Sequence, residues 1–199
     1  MRIVRTAGPQ DLPGTYRVCL LTGDSGGDAT AIFRNPDLLG HVYVGPYVMG
    51  QPGLALVVAD PEGVAGYCLA AADTRAFEAW AEAAWWPALR ERYPEPDPDD
   101  GSADAELIRL IHAPARAPDA IVASYPAHLH IDLLARARGT GLGRDLIDRQ
   151  VASLRRHGAR GVHVDVGVDN VNAIAFYGHL GFTEVGRLET SILMGLPLA

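Results

Sequence analysis

Three glycines at alternate positions, Gly139, Gly141 and Gly143, stand in RARGTGLGRDLIDRQVASLRR (residues 136–156), directly before a helix-like pattern. Glycine is costly at a helix start unless the backbone needs its freedom or a ligand must come very close. The first amides of a helix have no intrahelical partner, and the helix dipole adds partial positive charge there. A strand running into such a turn therefore leads to an anion site, where bare Cα atoms let a phosphate approach the amides. Two phosphate-cradling signatures fail on the residues. A P-loop ends in Gly-Lys-Ser/Thr, whereas Gly143 is followed by Arg144 and Asp145. A dinucleotide fingerprint needs a glycine three places after its second, and counting from Gly139 that place holds Arg144.

Just ahead of the turn, His128, His130 and Asp132 alternate with Leu129, Ile131 and Leu133, so a strand puts all three ionisable groups on one face. Such a face is expensive in an ordinary core. Either it is partly solvated and its polar groups bond one another, or it floors a cleft. Asp165, on the next strand pattern, faces the same cavity or the opposite layer. Tyr43, Tyr47 and the Gly45-Pro46 turn are candidate cleft walls. His112, His157, His163 and His179 read as surface or structural. Asn170 and Tyr177 are seven residues apart, two helical turns, and share one face.

The elements that must position these groups follow from local pattern. Residues 2–6 alternate as a short strand, and a helix is expected around 12–21. TGDSGGDA is a loop, a short helical piece is expected at 29–33, and HVYVGPYV reads as a strand end running into an ordered loop. Residues 54–60 and 64–72 form the clearest hairpin, two apolar runs joined by a Pro/Gly turn. Residues 74–118 change character. A helix-forming segment carries Trp80, Trp85 and Trp86, a proline-punctuated acidic loop follows, and ELIRLIHAP makes a short helix. The segment reads as an insertion and its tryptophans as core or interface. Leu142, Leu146, Ile147, Val151 and Leu154 form one stripe of a helix over 142–157, closed by Gly158. A β-branched strand at 162–168, a helix opened by Asp169 and Asn170, and a closing hairpin at 182–196 complete the chain. The order is β-α-α-β-β, insertion, β-α-β-α-β-β, which is α/β with a mixed sheet.

The 199 residues, 48% of them hydrophobic, suffice for one core and predict a single domain over 1–199. A net charge of −7 offers no basic excess to displace counterions from nucleic acid, and mildly favours cationic partners. Cys19 and Cys68 lie in apolar contexts and read as free buried thiols. The start lacks a secretory pattern and no apolar run is long enough to span a bilayer, so a cytoplasmic location is expected.

Arg138-Gly139-Thr140-Gly141-Leu142-Gly143 resembles the Arg/Gln-x-x-Gly-x-Gly/Ala signature of the GCN5-related N-acetyltransferases, the GNAT superfamily. DNVNAIAFYGHLGF is similar to the family's Asn-x-x-Ala-x-x-φ-Tyr-x-x-x-Gly-Phe element, matching Asn170, Ala173, Phe176, Tyr177, Gly181 and Phe182. The two elements stand in the family's order, and the strong resemblance covers about residues 127–195. More narrowly, SYPAHLHIDLL, GVHVDVGVDN and GPY resemble the acetyltransferase-like domain associated with protein O-GlcNAc hydrolases and its free-standing bacterial relatives. Ala135 stands where the family commonly has proline, a position that shapes the turn and does no chemistry.

The resemblance implies a GNAT fold: a mostly antiparallel mixed sheet, splayed between two strands, with helices on both faces. It implies acetyl-CoA as cofactor, with its diphosphate on the amides of Gly139, Thr140, Gly141, Leu142, Gly143 and Arg144, and with Arg138 adding charge. The pantetheine arm is expected against the backbone of Leu133 and Leu134, and beside Asn170, Ala173 and Phe176. Tyr177 is the implied general acid. His130 is the expected base or water relay, since its free pKa lies near neutrality, with Asp132 orienting it or binding a cationic acceptor. His128, Tyr43 and Tyr47 are expected at the acceptor.

An acetyl-CoA-dependent N-acetyltransferase acting by direct attack on a small amine or a protein amino group is the first expectation, with no metal. The alternative is a module that binds acetyl-CoA without turnover, as a sensor or interaction domain. A third is an interaction protein using the Trp-rich insertion. Whether copies of the chain form a homodimer is open, the tryptophan helix being the face expected to carry it.

Overall fold

The computed structural model describes residues 2–198; the two end positions of the expected 1–199 domain lie outside the described residues. A seven-stranded sheet organises the chain, with strand order β1-β2-β3-β4-β5-β7-β6. Its strands are β1 (Ile3–Thr6), β2 (Ala55–Asp60), β3 (Gly63–Ala71), β4 (Ala127–Leu133), β5 (Gly161–Gly167), β6 (Thr183–Arg187) and β7 (Ser191–Pro197). Every neighbouring pair is antiparallel except β4 and β5. Those two run parallel and pair only at Ala127–Val162 and His128–His163. Beyond that point they part, which is the expected splay.

Helices cover both faces. On one, α8 (Leu142–Arg156) and α9 (Val171–His179) bury Leu146, Ile147, Leu154 and Tyr177 against Val162, Val164 and Val166. On the other lie α1 (Leu12–Thr22), α2 (Leu38–Tyr43), α3 (Gly45–Gly50), α4 (Thr74–Ala84), α5 (Trp86–Arg92) and α6 (Ala103–His112). Their core includes Val18, Leu38, Val48, Tyr67, Leu69, Trp86 and Ile111. Strand alternation divides the two layers: Tyr67 and Leu69 face one, Cys68 and Ala70 the other. No helix among the described residues is long and apolar enough to cross a membrane.

The element order expected from the pattern holds, with local corrections. HVYVGPYV is helical, spread over α2 and α3, where the sequence predicts a strand end. Its β-branched residues imitate alternation, yet Val44 and Val48 are buried four apart, and Gly45, like Gly40 just before the segment, lies against an aromatic ring. A Cβ on Gly40 would stand 2.2 Å from the Tyr16 ring, and one on Gly45 2.2 Å from Trp85. Residues 29–33 form a turn held by Ala29 O, with no helix. A short helix, α7 (Asp119–Ser124), was not anticipated; Arg75 and Arg116 hold its first residue, Asp119.

The insertion is bound into the fold. Ser102 caps α6 by accepting from Ala105 N–H, and Asp104 accepts from the amides of Arg34 and Asn35, 3.0 Å each. Trp80 packs on Gly50, Trp85 donates to His41 O over 2.9 Å, and Trp86 is buried. The three tryptophans thus serve the fold's own packing.

Candidate active site

β4 ends at Leu133, and the chain passes through a single helical turn (Ala135–Ala137) into the glycine segment. Gly139 and Gly141 take φ of 71° and 81°, left-handed values that a side chain strains. Gly141 is the N-cap of α8 and supplies no side chain to cap it. The first helical bond is Asp145 N–H to Gly141 O. Among the described residues, no hydrogen bond engages the amides of Gly139, Thr140, Gly141, Leu142, Gly143 or Arg144. Successive free amides of this kind suit an anion, and the space is open at Gly139 and Gly141, where a Cβ would meet nothing within 4 Å.

A cavity of about 450 Å³ opens in front of this turn. Its walls are the glycine turn with Arg138 and Arg144, the β4 residues Ile131, Asp132 and Leu133, and the α9 face bearing Asn170, Ala173, Phe176 and Tyr177. Gly143 is bare because Phe176 packs there, 3.2 Å from where a Cβ would stand. Asn170 caps α9, accepting from Ala173 N–H over 3.1 Å, which leaves its amide group for the cavity. The alternation of strand backbone turns one set of β4 residues toward the gap left by β5. Leu134 N–H is spent on Ala65 O, so Leu133 and Ile131 direct their backbone groups into the gap and Leu134 does not.

Two proton-bearing groups meet in this cavity. Tyr177 is buried, and no side-chain hydrogen bond among the described residues engages its hydroxyl. Burial raises its pKa, which keeps the phenol protonated at neutral pH. Asp132 accepts a hydrogen bond from the Tyr67 hydroxyl over 2.7 Å, and burial pushes its pKa up to about 6. That value suits a group that must both take and release a proton near neutrality. Cys19 and Cys68 are buried, and burial raises both thiols, Cys19 to about 12.

The other expected residues lie beside the cavity. His128 Nδ1 and the Thr74 hydroxyl are 2.8 Å apart, and that hydroxyl donates to Pro126 O over 2.7 Å. The histidine therefore carries its proton on Nδ1, and the Tyr47 hydroxyl donates to its Nε2 over 2.9 Å. His130 packs between the Tyr47 and Tyr67 rings, and its buried Nε2 has no partner among the described residues. Burial lowers both histidines, His128 to about 3 and His130 to about 4. His128, His130, Tyr43 and Tyr47 do not line the cavity, nor do Leu134, Thr140 or Leu142; Asp165 is exposed. Sequence reasoning missed Ser25, Gly26, Ile131 and Asn172, which do line it, and Tyr67, which holds Asp132. Strand register gives the one available signal, because Tyr67 lies opposite Asp132.

Comparison with known proteins gives three findings. The family model described as "Acetyltransferase (GNAT) family" matches residues 83–182. The crystal structure of SsHAT is 37% identical, covers 100% of this chain and 98% of its own, and superposes with a TM-score of 0.92. Protein O-GlcNAcase of Rattus norvegicus is 26% identical over 188 residues, and that of Mus musculus matches equally. This chain spans only 20% of the length of those curated relatives. The fold is also that of yncA from Salmonella typhimurium, solved with its cofactor acetyl-CoA, at 18% identity and a TM-score of 0.54.

Proposed function

The chain belongs to the acetyltransferase (GNAT) family, and on that premise we propose that it is an acetyl-CoA-dependent N-acetyltransferase, residues 1–199 forming one domain. The observation that carries the reading is the run of free amides from Gly139 to Arg144, whose residues Gly139, Gly141, Gly143 and Arg144 line a cavity together with Asp132 and Tyr177. The residues fit the cofactor: an unpaired amide cradle for a diphosphate, an open strand edge for an extended arm, and a phenol without an internal partner. When bound, acetyl-CoA supplies an activated acyl group as a thioester.

The chain's own residues then do four things. The amides of 139–144, with Arg138 and Arg144, hold the diphosphate by charge-assisted hydrogen bonds. The backbone of Ile131 and Leu133 aligns the arm as an added strand would, and Leu133 N–H is placed to polarise the carbonyl. Asp132 accepts the proton that an ammonium must lose before it can attack, and Tyr67 steadies the carboxylate that does so. Tyr177 gives its proton to the leaving sulfur. Raised thiols leave neither cysteine ionised at neutral pH, which supports direct attack by the amine over a covalent enzyme intermediate.

Thiol release from acetyl-CoA, followed across a panel of alkyl diamines, aromatic amines and lysine peptides, tests this reading beside calorimetric titration with coenzyme A. Release above the uncatalysed rate with at least one acceptor supports transfer. Tight binding with no release for any acceptor overturns it in favour of a silent binder.

A further inference from the structure

The loop after α1 is a tight hairpin turn. Asp24 N–H donates to Gly27 O over 3.0 Å, and Gly27 N–H to Asp24 O over 2.7 Å. Between them Ser25 and Gly26 take φ of 49° and 91°, the paired left-handed values of a type I′ turn. Ser25 is the only described non-glycine residue with positive φ. The tip of this turn, Ser25 and Gly26, completes the wall of the cavity described above, although it lies more than a hundred residues from the glycine segment. Most of the turn is exposed.

One side chain ties the turn to the cavity's other wall. Arg138 donates from Nη2 to Gly26 O over 2.8 Å and from Nε to Leu133 O over 2.7 Å. Leu133 O is free to accept because β5 has already diverged from β4. A guanidinium carries five N–H donors in one rigid plane. These two bonds leave three, on a side chain that also lines the cavity next to the free amides.

We propose that Arg138 is a positioning residue that couples the two walls. Its guanidinium holds the Asp24–Gly27 turn against the cavity, and a diphosphate on the glycine turn engages the remaining donors and tightens that hold. The coupling rests on the reading of residues 139–144 as a diphosphate seat; the tether does not. The sign follows from entropy. An exposed arginine bridging neutral carbonyls keeps much of its rotamer freedom, and an anion that fixes the fork removes the cost of presenting Nη2 to Gly26 O. By linkage, a closed turn raises affinity for the diphosphate by the same factor that the diphosphate favours closure. Lysine at this position supplies the charge but cannot span two carbonyls and an anion together.

Amide hydrogen exchange at Gly26 and Gly27 in the full chain, with coenzyme A as the probe, tests this. Without ligand, Arg138→Gln speeds exchange at both amides by about fivefold, the share of one hydrogen bond. Saturating coenzyme A slows the same amides several-fold in the unmodified protein and leaves them unchanged in Arg138→Lys, which still binds it. Unaltered ligand-free exchange in Arg138→Gln overturns the tether. Equal protection in Arg138→Lys and the unmodified protein overturns the coupling. Should the unmodified protein bind no coenzyme A, the diphosphate reading and the coupling fall together, and ligand-free exchange still decides the tether.

Discussion

Tyr67 and Asp132 stand directly opposite each other across the β3–β4 ladder, and the tyrosine hydroxyl donates to Asp132 Oδ2 over 2.7 Å. This cross-strand pair therefore helps set the proton affinity of a carboxylate in the cavity wall, together with burial, Thr22 and Arg138. Burial raises that affinity and the tyrosine bond lowers it.

Transfer should rise with pH as Asp132 ionises, with a limb near pH 6 in kcat/KM. Tyr67→Phe removes the donor that favours the charged form and moves this limb upward by about one pH unit. A pH–rate profile of the two proteins checks it, and an unmoved limb assigns the base elsewhere.

Asp132→Asn trades activity for stability. The folded pKa of about 6 lies above the ordinary 3.8, so the folded state holds this proton more tightly. Its contribution to stability is complete below pH 3.8 and is lost as pH rises through about 6. Above that the carboxylate costs about 2 to 3 kcal/mol, which asparagine relieves. Urea denaturation should show the variant more stable at pH 8 and no different at pH 4, with thiol release abolished. Equal stability at pH 8 contradicts the argument.

Tyr177→Phe keeps the packing of α9 and deletes the hydroxyl that we propose as the proton donor. The expected outcome is a kcat about a hundredfold lower with the calorimetric affinity for coenzyme A unchanged. A loss confined to affinity makes the phenol a binding group.

Replacing Gly141 by valine forces a branched side chain into φ of 81°, and valine at Gly143 drives a side chain into the Phe176 ring. Both should weaken coenzyme A binding about tenfold or more, measured by titration on folded variants. Retained affinity in both removes the cradle from the account.

Acid should unfold the protein through its buried histidines. The folded pKa values of His128 and His130, about 3 and about 4, lie below the ordinary 6.5. Their contribution to stability is intact above pH 6.5 and falls as pH drops toward those values, about 2 kcal/mol each by pH 5. His130→Phe, which also removes the orphaned Nε2, should flatten this acid slope without loss of stability at pH 8.

The parts of the site that were legible in the sequence are those fixed by short-range spacing. Gly139, Gly141 and Gly143 announce a turn because their conformations are local, and Asn170 and Tyr177 share a face because a helix repeats. The alternation of His128, His130 and Asp132 was legible too, but not its partition. Asp132 reaches the cavity while Tyr47 and Thr74 enclose His128 from distant segments. The Ser25–Gly26 wall was invisible for the same reason, since its contact with the glycine segment is a long-range bond from Arg138 to Gly26 O. HVYVGPYV misled because its burial is set by two aromatic rings packed on glycines, which no window of neighbours contains.

The pairing of β4 and β5 stops after His128 and His163. An unzipped seam inside a sheet leaves strand backbone groups, here those of Ile131 and the Leu133 amide, able to pair with an extended chain. Whatever lies along that seam acts as a temporary splint. Thermal stability should therefore rise with the concentration of any molecule that binds along the seam, by mass action.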